Sequence, residues 1–287
     1  MNKSIIVIGA TGMLGKPVAE ELIKAGFNVK ILSRNVQKAK KLFPEVENIG
    51  QCDLRDKEKL VEAFRGYDFV YMNLSVAPDE NESPFHPELD GLKNALEAAK
   101  ETGIKRTGYI SSIISRDFET DWWVFKIKRS AVELIKKSGI PYAIFYPSSF
   151  METLVRSIQK NKLMVAGKAK YKNWWISGHD YGKQVATAFK VIPENESRDY
   201  TVQGPEALIF NEAAKIFAEN YSKGALKVSS TPLGLLKFIG LFSAQVKYIT
   251  KILEIINNHP ETFMAEDTWK ELGKPETTVA DFARNLK

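Results

Sequence analysis

Apolar positions in the first 150 residues form short runs that alternate with amphipathic stretches. Residues 5–8 are a β-branched run, read as a buried strand. Residues 17–25 place Val18, Leu22 and Ile23 on one face and stop at Gly26, as a helix does. The same alternation predicts strands at 28–32, 46–52, 69–74, 107–111 and 142–146. Helices are predicted between them at 35–43, 56–64, 88–101 and 125–137, the last two ended by Gly103 and Gly139. Strands covered by helices on both faces are apolar throughout, and crossover helices join parallel neighbours. The pattern predicts an α/β fold built on a doubly wound parallel sheet.

The rhythm changes after Pro147. Residues 151–172 are more basic and irregular. Strands are expected at 174–176 and 200–202, helices at 180–191 and 210–221, and a long apolar helical stretch at 232–257. The expected organisation is a core over 1–150 that 179–204 rejoins, with a smaller, mostly helical substrate lobe over 151–287. Doubly wound folds bind ligands at the carboxyl edge of the sheet, so the lobe is expected there.

Composition narrows the chemistry. The chain has 287 residues, 44% hydrophobic and 26% charged, which fits a globular protein. A single cysteine, Cys52, excludes a disulfide framework and a cysteine zinc site. His86, His179 and His259 have no HxxxH or HExxH spacing, so no metal site is expected. The net charge of +6 is mild, and no arginine cluster marks a nucleic-acid interface. An anionic small ligand explains the charge more simply. Four apolar residues before Gly9 do not make a signal peptide. No run reaches the ~20 apolar residues of a membrane span; the nearest, 228–246, is interrupted by Lys237. A soluble cytoplasmic protein is expected.

Gly9, Thr11, Gly12, Met13, Leu14 and Gly15 lie in a glycine loop that leaves the first strand and opens the first helix. One glycine permits the turn, one lets the backbone approach a pyrophosphate, and one packs the helix onto the strand. The helix N-terminus offers free N–H groups to phosphates. This is the dinucleotide-binding, Rossmann arrangement. The spacing is GxxGxxG rather than GxGxxG, and it resembles the short-chain dehydrogenase/reductase superfamily. Gly-Ala-Thr-Gly resembles its atypical branch. Residues 103–106 leading into Tyr109-Ile110-Ser111-Ser112 resemble the fifth-strand region of that branch. Residues 139–147 with Phe150-Met151-Glu152, and 200–204 with Pro205-Glu206-Ala207, resemble NmrA-like and isoflavone-reductase-like proteins. The resemblance covers residues 1 to about 220.

NAD-selective sites usually place a carboxylate after the second strand. Here Ser33-Arg34 stands there, and Arg34 can clamp a 2′-phosphate, with Lys38 one turn further. NADP(H) is therefore expected over NAD(H), the alternative being that Arg34 is a solvated loop cation. The resemblance puts Asp53 near the adenine amino group and Leu54 beside the ring; Asp53 is otherwise a helix cap ahead of Asp56.

On the 125–138 helix, Lys128 falls inside the apolar arc, between Phe125 and Val132. An ammonium there needs a partner or loses its proton, and a bound ligand is one such partner. The alternative is a lysine that snorkels to the rim; a strained core lysine without a ligand would gain stability from an apolar replacement. The resemblance puts the family lysine, which contacts the nicotinamide ribose and assists proton transfer, at Lys128. Four residues earlier, where many enzymes of the superfamily carry an acidic tyrosine, this chain has Val124. The proton donor is then Lys128 itself, Ser111, Ser112, Tyr146 or His86.

Asn73, Leu74 and Ser75 end the fourth strand and can contact ribose or carboxamide, or simply begin a polar loop. Ser111, Ser112 and Tyr146, with Pro147, Ser148 and Phe150 after the sixth strand, are expected to border the nicotinamide. Phe150, Met151, Trp122 and Trp123 can line an apolar substrate pocket or belong to the core. Asn94 is read as structural and His179, with Asp180, as a helix cap. The favoured function is an NADPH-dependent reductase of a small carbonyl, quinone or enone. Two alternatives stand: a non-catalytic NADP-binding redox sensor acting on a protein partner, and a sugar-nucleotide epimerase or dehydratase, against which Val124 argues. The oligomeric state is left open.

Overall fold

The computed structural model describes residues 3–77, 80, 83–118 and 120–286. Met1 and Asn2 of the leading segment and Lys287 of the expected lobe lie outside these. The described residues form two compact units: those within 3–76, 83–118, 120–146 and 181–200 make the first, and 77, 80, 147–180 and 201–286 the second.

The first unit alternates β1 (Ser4–Ile8), α1 (Gly15–Lys24), β2 (Asn28–Ser33), α2 (Val36–Leu42), β3 (Ile49–Gln51), α3 (Lys57–Phe64), β4 (Phe69–Met72), α4 (Leu92–Thr102), β5 (Arg106–Ile110), α5 (Ile113–Asp117), α6 (Trp123–Lys137) and β6 (Tyr142–Pro147). In the second, β7 (Ser149–Phe150), α7 (Glu152–Arg156), β8 (Ile158–Gln159), β9 (Lys162–Ala166) and β10 (Asn173–Ile176) come first. Then α8 (Gly178–Val191) and β11 (Arg198–Val202) run mainly through the first unit. The chain finishes with β12 (Glu206–Leu208), α9 (Phe210–Glu219), β13 (Lys227–Thr231), α10 (Leu233–Gly240), α11 (Ala244–Asn258), α12 (Glu266–Leu272) and α13 (Val279–Arg284).

The main sheet has seven strands in the order β11-β6-β5-β4-β1-β2-β3, with parallel pairing from β6 to β3. The doubly wound expectation holds. Every residue of β1, β4 and β5 is buried, and β4 and β1 after Ser4 read as continuous apolar runs. β5 buries Thr107 and, at its start, the charged Arg106. Its guanidinium is buried at 1% exposure and donates to the carbonyls of Glu194 and Glu196 at 3.1 and 3.2 Å. Strand order reverses between β1 and β4, so the loops after them flank the switch point where such sheets bind ligands.

The structure differs from the sequence expectation in particulars. The third strand shrinks to Ile49–Gln51. The helix expected at 88–101 begins as a π-helical turn over Pro87–Gly91, and α4 follows it. Gly91 there faces Leu54, whose Cβ would stand 2.8 Å from an added β-carbon. The second unit has two three-stranded sheets, β12-β10-β7 and β13-β9-β8, and the latter draws β8 and β9 from the 151–172 stretch, where no strand was expected. Leu163, Val165 and Trp175 from these sheets share a core with Phe210 and Phe217 of α9 and Val279 of α13.

Candidate functional site

Within the first unit, a cavity of about 380 Å³ opens beside the switch point. That is within the usual range for small-molecule sites. Its floor is the glycine loop. Gly9 has φ +83°, and a β-carbon on it would lie 2.1 Å from the Asn73 carbonyl oxygen. A β-carbon on Gly15 would meet the Gly9 carbonyl oxygen at 2.1 Å, so α1 packs directly on the end of β1. The Gly12 amide donates to the Gly9 carbonyl at 3.0 Å and closes the turn. Leu14, the residue before α1, makes no side-chain cap, and the first turn holds no acid. The positive end of the helix is therefore left available to an anion.

The cavity collects Gly9, Thr11, Gly12, Ser33, Arg34, Lys38, Asp53, Leu54, Asn73, Leu74 and Ser75 of the expected residues. Met13, Leu14 and Gly15 follow in the loop but do not line it. Arg34 and Lys38 are exposed, and no carboxylate pairs with either among the described residues. Asp53 is not the helix cap. Asp56 caps α3 by accepting from the Lys59 amide, whereas Asp53 accepts from the Arg55 amide at 2.9 Å. Asn73 lines the cavity with a buried Nδ2 that has no partner among the described residues. Asn94 is structural: its Nδ2 donates to the Leu54 carbonyl at 2.8 Å.

Sequence reasoning missed Arg55, Phe85 and Cys52 in this wall. The Arg55 guanidinium lies 4.5 Å from the Phe85 ring centroid and pairs with Asp53 at 3.3 Å. No local signal brings residue 85 beside Arg55; it lies in the loop ahead of the π-helical turn. Burial pushes the Cys52 thiol up to about 11, with Asp56 and Asp53 adding to it, so it stands as a neutral apolar wall.

Lys128 is outside the cavity lining, and its partner is Glu88. The Lys128 Nζ donates to Glu88 Oε1 at 2.7 Å, with side-chain exposures of 16% and 0%. The Tyr109 hydroxyl donates to the same oxygen at 2.5 Å. Burial, then the Glu88 charge, raises the Tyr109 phenol well above its ordinary value, so it keeps its proton and acts as donor. Glu88 Oε2 has no partner among the described residues. The π-helical turn aims Glu88 at α6, a placement that helical periodicity could not reveal.

The other expected residues are more enclosed. Val124 is 3% exposed. Ser111 is buried, with its Oγ 3.2 Å from Ser115 Oγ, and Ser112 caps α5 by accepting from the Ser115 amide. Tyr146 is buried under the Arg116 guanidinium, 4.8 Å from its ring centroid, and burial raises its phenol. The His86 amide is tied to Asp90, and its ring lies 6.3 Å from that of Trp123.

In the second unit, Pro147 ends β6, and the Ser148 hydroxyl is committed to Glu261 at 2.7 Å. Phe150 is a buried strand residue, and Met151 is fully buried in the core rather than at a pocket wall. His179 does not cap α8; Ser177 Oγ accepts from the Asp180 amide.

Residues 1–280 match the NmrA-like family. Among curated relatives, a photosystem II assembly factor of Cyanophora paradoxa is 30% identical over 152 residues, 53% of this chain and about half (47%) of that protein. An NAD(P)H azoreductase of Xenophilus azovorans is 25% identical over 98% of this chain and 96% of its own. The fold is shared with an Escherichia coli NADPH-dependent quinone oxidoreductase solved with NADPH (TM-score 0.72, 21% identity, 97% of this chain and 98% of that one). Sugar-nucleotide epimerases share it as well. The chain belongs to the NmrA-like family of NAD(P)-binding proteins, with the fold of the atypical short-chain dehydrogenases/reductases.

Proposed function

We propose that this protein is an NADPH-dependent reductase of small conjugated acceptors, quinones or enones. One observation carries the reading: the cavity at the switch point combines an uncapped helix N-terminus, two unopposed cations and an unpartnered buried amide. Backbone N–H groups of the loop from Gly9 to Gly15 would hold the pyrophosphate. Ser33, Arg34 and Lys38 would hold a 2′-phosphate, Asp53 and Leu54 the adenine, and Asn73, Leu74 and Ser75 the adjoining ribose. The bound cofactor supplies a hydride.

Glu88 fixes the Lys128 ammonium, so that its remaining N–H groups can orient a ribose and present positive charge to the acceptor as it is reduced. With Val124 in place of a phenol and the Tyr146 hydroxyl buried, Lys128 Nζ is the proton source on this side of the unit. An acceptor that spreads charge over a conjugated system asks least of such a donor. The azoreductase and quinone oxidoreductase relatives support a conjugated acceptor.

A panel assay following NADPH absorbance tests this. Quinones or enones should be reduced faster than unactivated ketones, and Lys128→Ala should lower the rate. The buried Val124 favours one second reading, a redox sensor. If no acceptor oxidises NADPH above the uncatalysed rate, while NADPH and NADP⁺ bind with different affinities, the sensor replaces the reductase.

A further inference from the structure

The positive charge of this protein is concentrated in two stretches of the second unit. Residues 153–179 and 220–258 together hold eleven lysines and arginines but a single carboxylate, Glu254. The remainder of the chain is net acidic. All eleven cations are exposed. Parallel pairing of β9 with β13 brings the two stretches side by side.

A helical hairpin grows from this basic base. Pro232 leads from β13 directly into α10, and Ser243 caps α11 by accepting from the Val246 amide. Asn257 of α11 ties the hairpin back to the basic stretch. Its Nδ2 donates to the Ala166 carbonyl, and its own carbonyl accepts from the Lys170 amide, both at 2.9 Å. Leu233 lies over Gly167, where a β-carbon would meet its Cδ1 at 2.7 Å. The base is fixed; the tip is apolar and projects. Phe242 is 80% exposed, Leu241 75%, Phe238 61% and Leu235 51%. Clustered exposed apolar groups of this kind mark an interaction site.

We propose that the α10–α11 hairpin docks on the surface of an anionic lipid bilayer, with the 238–242 tip in the headgroup–acyl boundary and the lysines against lipid phosphates. Apolar insertion with surrounding cations is the chemistry of interfacial anchoring. Among the described residues no helix is long and apolar enough to cross a membrane, so the hairpin lies on the surface. A second copy of the chain is the weaker occupant, because copies meeting through the hairpin would bring the exposed Lys247 and Lys251 of each close to like charge. The proposal stands independently of the reductase reading.

The test is co-sedimentation of the full chain with phosphatidylcholine vesicles, with and without phosphatidylglycerol. Binding should require the anionic lipid and weaken steeply with salt. Leu241→Ser with Phe242→Ser should weaken it on the order of a hundredfold, and Lys247→Glu with Lys251→Glu on the order of tenfold. Melting temperature and NADPH affinity should stay unchanged in both variants. Absence of binding to anionic vesicles at low salt overturns the proposal. So does binding that neither double variant weakens. A concentration-dependent dimer that the tip variant abolishes, without vesicle binding, overturns it in favour of self-association.

Discussion

Replacing Lys128 with methionine should destabilise the first unit, although the residue sits on an apolar helix arc. Seen from the helix pattern alone, methionine suits that arc and should stabilise. The structure reverses the sign, because the ammonium is the charge partner of a carboxylate with no exposure. Lys128→Met leaves Glu88 with the Tyr109 hydroxyl as its remaining donor among the described residues, since Oε2 already lacks one. Removing one member of a buried pair costs about 3–5 kcal/mol. Lys128 retains some water contact, so the low end, about 3 kcal/mol, applies here. At roughly 2–4 °C per kcal/mol, the melting temperature should fall by about 6–12 °C. Glu88→Leu in the same background should recover part of the loss, because an apolar pair tolerates the site. What remains is the cost of an unpaired Tyr109 hydroxyl, about 1–2 kcal/mol. Denaturant unfolding of the wild type, both single variants and the double variant closes the cycle. If Lys128→Met is as stable as the wild type, the Glu88 partnership is not what holds this lysine.

Gly9→Ala forces a β-carbon to 2.1 Å from the Asn73 carbonyl at a positive φ, so it should cost more than about 2 kcal/mol and abolish NADPH binding, read by melting with and without cofactor. Burial, with Asp180 adding to it, raises the Glu152 carboxyl from 4.5 to about 7, against the pull of the Gly178 amide. The folded state then holds a proton that the unfolded state has released, so between about pH 4.5 and 7 this group's contribution to stability is progressively lost as pH rises. Glu152→Gln should remove that slope and be the more stable form above pH 7, measured by urea unfolding across pH. Arg55→Ala should weaken NADPH binding less than Arg34→Ala in a direct titration, because Arg55 is already paired with Asp53.

The sheet and the glycine-loop side of the cavity were legible in the sequence for one reason: each rests on local pattern. Apolar runs announced β1, β4 and β6, and the glycine loop announced the turn at Gly9 and the packing at Gly15. Arg34 was visible because it directly follows a strand. Phe85 and Glu88 were not, because they reach their places through the loop after β4 and a π-helical turn, which leave no periodicity, and Arg55 was not, because it lies in the irregular link between β3 and α3. Lys128 was conspicuous as a polar residue on an apolar arc, yet its partner lies forty residues earlier, beyond any local reading. The strands β8, β9 and β13 escaped because they are short and partly exposed.

The central claim is that the switch-point cavity selects NADP(H) through Arg34. Calorimetric titration of the wild type and Arg34→Ala with NADPH and NADH tests it most directly. A charge-assisted phosphate contact is worth about 1.5–3 kcal/mol, on the order of tenfold to a hundredfold in affinity. The wild type should therefore bind NADPH more tightly than NADH by that factor, and Arg34→Ala should remove most of the preference while leaving NADH affinity unchanged. Equal affinities for the two cofactors in the wild type would contradict the claim.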